Sequence, residues 1–305
     1  MARGGRGRSV AGRVLAGLAL GVALVTAAGA ETVTTLEIDG VISPVTVRLV
    51  STAIERARAD GASALVILLD TPGGLERSMR SIVRDMLNSP VPVIVYVSPT
   101  GARAASAGAF ITIAAHVAAM APATNIGAAH PVSAGGGSMD KEMSKKVEND
   151  AAAFIRTVAR ERGRNQEWAE KAVRSSVSAT EQEALKLGII DLVAPSVPDL
   201  LAKVDGRQVK TPGGTVTLRT KGAVVQPIGV GWRDRFLAII TDPNIAYILL
   251  MLGMLGLFFE LANPGVILPG VIGGISLILA FFAFQSLPIN WAGLLLILLG
   301  IVLLI

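Results

Sequence analysis

The last sixty or so residues constrain this chain most. Residues 245–261, 265–284 and 288–305 are three long apolar runs, separated only by Ala262-Asn263-Pro264 and Gln285-Ser286-Leu287. Each is close to the roughly 20 residues that an α-helix needs to cross a bilayer. Soluble core helices are seldom so free of charge over such a length, so all three are expected to span a membrane. No Lys or Arg follows Arg235, so the positive-inside rule has nothing to count there. Glu260 is the one charged side chain after Asp242. It lies near the end of the first run, where it is expected to reach the interface or face a neighbouring helix rather than lipid.

The other end has a different layout. Arg3, Arg6, Arg8 and Arg13 precede an apolar stretch over 14–27, and Ala28-Gly29-Ala30 follows. That is the pattern of a secretory signal peptide cleaved after Ala30, with an uncleaved anchor as the alternative. Cleavage would place the domain that follows outside the cytoplasm. The net charge of +5 owes much to those four arginines, so the middle of the chain is near neutral and a nucleic-acid partner has little support. The absence of cysteine excludes disulfides and thiol catalysis, and two histidines in the whole chain argue against a histidine-rich metal site.

Between these ends strand and helix patterns alternate. Residues 33–38, 64–70 and 91–97 read as strands, with helices over 44–60 and 75–88; short strands are expected near 117–120 and 126–129. Ser43-Pro44 supplies an N-cap and an N1 proline. A flexible loop over 133–138 and a long helix over 143–162 come next. Ser178 and Glu181 fit a capping box for a helix that stops before Gly188. A strand over 189–193 and a hairpin over 208–218 complete the domain. Residues 232–240 are an amphipathic stretch able to lie at a membrane surface. This order predicts an α/β domain with a largely parallel sheet covered by helices.

Two segments carry chemistry. In Thr100–Phe110, T-G-A-R-A-A-S-A-G-A-F, Ser106 falls where the strand over 91–97 gives way to a buried helix over 104–115. There its hydroxyl is exposed, and free N–H groups of the helix N-terminus can stabilise negative charge. Thr71-Pro72-Gly73-Gly74 follows the strand 64–70, and its paired glycines can present backbone N–H groups with no Cβ in the way. A tight packing junction and a plain strand-to-helix turn are the competing readings. A serine hydroxyl needs a base beside it. His116, at the far end of the serine helix, reads as a core or helix-end histidine. Lys146 lies on the flank of an apolar stripe formed by Val147, Ala151, Phe154 and Val158, whereas Lys145 lies elsewhere on the wheel. A lysine at the edge of such a face can be desolvated and so accept a proton, though a solvated surface lysine is the simpler reading.

Asp70-Thr71-Pro72-Gly73-Gly74, Ala104-Ala105-Ser106-Ala107-Gly108, Asn125-Ile126-Gly127 and Lys146-Val147-Glu148-Asn149 resemble the membrane-bound serine proteases of the NfeD family, in the Clp protease/crotonase superfamily. Pro243-Asn244, Glu260 through Gly265 and Leu268-Pro269-Gly270 resemble the membrane part of the same family. The resemblance implies a Clp protease/crotonase-like domain over 31–231, a linker over 232–244 and a membrane region over 245–305. It also implies a Ser–Lys pair, with Ser106 as nucleophile, Lys146 as general base, the Gly74 and Ala107 N–H groups as oxyanion hole, and Gly73 and Gly74 against the substrate. Further implications are apolar peptide substrates, a stomatin-like membrane protein as partner, a homo-oligomer (dimer or larger), and no metal or organic cofactor. Longer family members continue into a soluble β-barrel, so the chain is expected to be truncated before it. His130, 24 residues after Ser106, is close to where soluble Clp proteases keep a catalytic histidine. Their orienting aspartate would fall within 175–180, which holds no carboxylate. A non-proteolytic scaffold and a crotonase-type acyl-CoA enzyme remain as rivals, the second disfavoured by the leader and the spans.

Overall fold

The computed structural model describes residues 31–132, 140–229, 231, 236–237, 239–240, 242–263, 265–284 and 300. The leader over 1–30, the glycine loop over 133–138, the third apolar run except Gly300 and most of the amphipathic stretch over 232–240 lie outside these residues.

Strands β1 (Thr32–Asp39), β2 (Ala64–Asp70), β3 (Val93–Val97), β5 (Val117–Met120), β8 (Leu192–Val193) and β11 (Val224–Pro227) form a sheet in the order β11-β1-β2-β3-β5-β8. Every pairing in it is parallel. Strands β2 and β3 sit in the centre, which is why they read as unbroken apolar runs: both faces are covered. One face packs against α1 (Pro44–Ala59), α2 (Glu76–Leu87), α3 (Ala107–Ala114) and α4 (Lys141–Glu161), through Leu36, Leu65, Ile67, Leu69 and Val95. The other face takes α7 (Val197–Val204) and the hairpin β9–β10 (Gln208–Thr211, Gly214–Thr217) against Val33, Val66, Ile94 and Tyr96. Each such fully buried side chain contributes about 1.5–3 kcal/mol, so the central strands anchor the fold.

The structure departs from the sequence expectations at several elements. Ala104 and Ala105 are not helical; with Arg103 they form β4 (Arg103–Ala105), which joins β6 (Asn125–Gly127) and β7 (Ser178–Thr180) in a second small sheet. The capping box is two residues later than expected: Thr180 accepts from Glu183 N–H while Glu183 accepts from Thr180 N–H, and α6 (Glu181–Lys186) follows. Ser178 cannot cap because it is paired in β7 opposite Gly127. Helix α5 (Gln166–Arg174), helix α7 and the edge strand β11 were not anticipated.

The first two apolar runs are helices α8 (Pro243–Ala262) and α9 (Ile267–Phe284), both long and apolar enough to cross a membrane. They cross at glycines. A Cβ on Gly256 would stand 2.5 Å from Pro269 O, and one on Gly273 would stand 2.8 Å from Leu257 N, so only glycine lets the two backbones come this close. The Glu260 carboxylate occupies the space that a Cβ on Gly270 would fill, so this side chain does face the neighbouring helix.

Candidate active site

The loop after β2 and the turn before α3 are built as one unit. Thr71 is fully buried; its Oγ1 accepts from Gly73 N–H at 3.0 Å and donates to Gly73 O at 3.1 Å. Thr71 N–H donates to Arg103 O, and Ala105 N–H donates back to Thr71 O. Gly73 O in turn accepts from Ile42 N–H, and Leu75 N–H donates to Ile42 O. Gly73 has φ +123°, and a Cβ there would lie 2.6 Å from Ser106 Cβ and 3.1 Å from Ser106 Oγ. Glycine at 73 therefore makes room for the serine. A Cβ on Gly108 would likewise lie 2.6 Å from Thr71 Cγ2, so the first turn of α3 is pressed onto the end of β2.

Ser106 is half-buried, with φ 52° and ψ −114°, at the N-terminus of α3. An L-residue pays about 1–3 kcal/mol to hold such a backbone, and it does so only where the surroundings over-determine it. Here they do: Ser106 N–H donates to Gly127 O at 2.9 Å, and Ala109 N–H donates to Ser106 O at 3.0 Å. The hydroxyl caps nothing. Among the described residues, neither Gly74 N–H nor Ala107 N–H has an acceptor. The structure thus seats Gly73 directly against Ser106, while Gly74 lies against the backbone of Ile42.

It does not bring Lys146 to them. The first ten residues of α4 include none that is buried; the apolar stripe begins at Ala151 and continues through Ala152, Ile155, Val158 and Ala159. Lys146 has a side chain 68% exposed and pairs with Glu142 at 3.1 Å, so the expectation of a desolvated lysine is not met. Val147 is only half-buried, which is why the stripe gives Lys146 no apolar edge to lie on. No hydrogen bond joins it to Ser106 among the described residues. Phe154 stacks on Phe110 of α3 with centroids 6.0 Å apart. Arg80 from α2 lies over Phe154 and pairs with Asp150, which fixes α4 one turn beyond Lys146.

His130 is half-buried, and its Nδ1 lies 3.0 Å from Val173 O. A carbonyl only accepts, so Nδ1 carries the proton and Nε2 is the basic nitrogen. His116 is buried as expected and accepts Val93 N–H at Nδ1, but its Nε2 has no partner among the described residues. Burial, then the charges of Arg162 and Arg164, push its pKa down to about 3.

Those arginines are what sequence reasoning missed. Arg164 is 7% exposed; its Nη1 donates to Ile113 O at 2.7 Å and to Ala115 O at 2.8 Å, and its Nη2 pairs with Asp191 at 2.6 Å. Arg162 donates from Nε to Ala114 O at 2.8 Å and from Nη2 to Met86 O at 3.4 Å. Asp191 also accepts from Ala118 N–H and Arg207. Their only sequence signal was a basic pair just past the end of α4.

The class defined by this architecture is a parallel α/β domain carrying a strained serine, joined to a membrane region. Residues 32–199 match the family described as NfeD1b, N-terminal domain, and residues 244–305 match the NfeD integral membrane domain. The chain belongs to the NfeD1b family. It is 40% identical over 266 residues to the membrane-bound protease PH1510 of Pyrococcus horikoshii, covering 86% of this chain. The chain spans about 60% of the length of that relative. Two solved structures of the 1510-N membrane-bound stomatin-specific protease superpose on it. One, with a lysine replaced by alanine and a substrate peptide bound, gives a TM-score of 0.65 at 37% identity, covering 70% of this chain and 99% of that one. The other, with a serine replaced by alanine, gives 0.62 at 38% identity, covering 66% and 99%.

Proposed function

We propose that this chain is a membrane-anchored serine endopeptidase that cleaves apolar segments of membrane-associated proteins. The observation that carries the reading is the backbone of Ser106, held in a costly conformation at a helix N-terminus with its hydroxyl uncommitted among the described residues and Gly73 beneath it. In the proposed cycle Lys146 takes the Ser106 proton and Oγ attacks the scissile carbonyl. The Gly74 and Ala107 N–H groups receive the oxyanion, while Gly73 and Gly74 lie along the peptide. Lys146 then protonates the leaving amine and activates water. A positioned base is worth about 10²–10⁴ in rate, and each oxyanion donor about 10²–10³. Because Lys146 is exposed in this structure, the cycle requires the first turns of α4 to close over Ser106 when a peptide binds.

The relative's specificity for stomatin, and mutant structures of it that replace a lysine and a serine, support this reading. They also support a stomatin-like membrane protein as partner. The proposed division is a signal peptide over 1–30, a catalytic domain over 31–231, a linker over 232–244 and three spans over 245–305. The catalytic domain lies on the extracytoplasmic side of a multi-pass protein that works as a homo-oligomer.

A fluorophosphonate probe applied to the full chain in detergent tests the reading. Covalent labelling that disappears in Ser106→Ala, with peptide cleavage lost alongside, is the expected result. Absence of labelling in the unaltered chain would leave the scaffold reading, and labelling retained by Ser106→Ala would mean another nucleophile. A second reading, His130 as base, is favoured by its fixed tautomer: Val173 O holds the Nδ1 proton and leaves Nε2 able to accept one.

A further inference from the structure

Helix α3 has eight residues, so anything that lets it slide along its axis moves Ser106. Its N-terminal end is under strain, and strain relaxes if the helix can retreat. Its C-terminal end would ordinarily leave carbonyls unsatisfied, and a glycine after the last turn is the common remedy. None is present: Ala115 takes the extended C-cap position, and three successive carbonyls, those of Ile113, Ala114 and Ala115, are instead held by guanidinium groups of Arg162 and Arg164. Both arginines follow α4 directly, and Arg162 also reaches Met86 O at the end of α2. The C-terminal ends of three helices are thereby tied at one point. Burying Arg164 costs several kcal/mol unless it is bonded, and two carbonyls and Asp191 bond its Nη1 and Nη2, while its Nε has no partner among the described residues.

We infer that Arg162 and Arg164 are positioning residues for the serine: they fix how far α3 projects its first turn, and hence where Ser106 Oγ stands. The inference rests on the role proposed above for Ser106. Eight residues at 1.5 Å each put the clamp about 12 Å from Ser106. Helix-terminal electrostatics fade within one turn, so the arginines act by holding geometry and not through their field. Opposite them α3 is braced by Gly108 against Thr71 and by Ser106 N–H on Gly127 O. A brace at one end and a clamp at the other keep the strained residue from relaxing.

Arg164→Lys keeps the charge, but a single ammonium on one stem cannot reproduce the fork that holds Ile113 O, Ala115 O and Asp191. Arg162→Gln, at the less buried position, is the second variant should the first fail to fold. The full chain in detergent is read two ways: fluorophosphonate labelling rate per folded molecule across pH, and amide exchange at Ser106 and Ala109. The expected result is a labelling rate lower by about ten- to a hundredfold, the cost of a misplacement near 1 Å. The pH midpoint of labelling should stay put, and exchange at both amides should quicken. A labelling rate per folded molecule equal to that of the unaltered chain overturns the positioning role, whatever exchange shows. If the unaltered chain is not labelled at all, the serine reading fails by itself. Exchange at the two amides then decides the clamp, and unchanged exchange overturns it.

Discussion

Ser106 and Lys146 stand in opposite surroundings. Ser106 is gripped on three sides: by Gly73 below, by Gly127 O on its N–H, and through α3 by two arginines at the helix's far end. Lys146 projects from turns of α4 in which no residue is buried, paired with one equally exposed carboxylate. One half of the proposed site is thus built into the core, and the other stands on the exposed first turns of α4. Stability and activity should therefore respond differently to substitution at the two places.

Lys146→Ala is the sharpest test of that contrast. It should lower peptidase activity by roughly three orders of magnitude, because removing the base of a coupled pair disables the nucleophile. Its unfolding midpoint should not move, and Lys145→Ala should be nearly silent in both respects. If His130→Ala were the inactive variant and Lys146→Ala active, the histidine reading would replace the lysine one. Gly73→Ala should damage stability and activity together. The added Cβ meets Ser106 Cβ at 2.6 Å in a backbone with φ +123°, and the expected destabilisation is about 2–3 kcal/mol in denaturant titration. A silent Gly73→Ala would mean that the serine is not held from below.

His116 should affect stability alone. Its pKa is lowered from 6.5 to about 3 by burial and then by Arg162 and Arg164, so between those values the unfolded chain binds a proton that the folded chain refuses. Stability is therefore full above pH 6.5 and falls as pH drops toward 3, by at most about 1.4 kcal/mol per unit. Asp191 adds a loss lower down. Burial opposes its charge, but Arg164, Ala118 N–H and Arg207 outweigh burial and hold its carboxyl below the usual range of 3.8. A flatter pH–stability curve in His116→Asn checks the first of these. Glu142→Gln should change least. The ion pair it removes is exposed, and such pairs contribute about 0–1 kcal/mol, so melting temperature and labelling rate should both stay close to those of the unaltered chain.

What could be read from the sequence follows the same division between local and distant causes. Strand β2 was bounded correctly at Ala64 and Asp70 because an uninterrupted apolar run ending in Thr71-Pro72-Gly73-Gly74 has few alternatives. Ser106 was legible as a strand-to-helix turn, although β4 was not, because three small residues pairing with β6 and Thr71 carry no periodicity of their own. Helix α5 was missed although Trp168, Ala169, Ala172 and Val173 repeat at helical spacing; the signal was present but brief. Strand β11 has exposed Val224 and Val225 at the edge of the sheet, so no alternation betrays it. The exposure of Lys146 depends on where α4 leaves the core, and that point is set by Phe110, Arg80 and Phe154 together. The arginine clamp joins residues 48 to 51 positions apart and has no local pattern at all.

The placement of β11 beside β1 has a consequence for distance. Strand β11 runs parallel to its neighbours, so the chain leaves the domain toward the same edge of the sheet from which the Thr71–Gly74 loop emerges. Pro243, the first residue of α8, follows Pro227 after roughly sixteen residues, a tether that even fully stretched spans no more than about 55 Å. The membrane region thus sets a ruler for the proposed site: height above the bilayer would be the first thing to select among bonds, before any side chain is read.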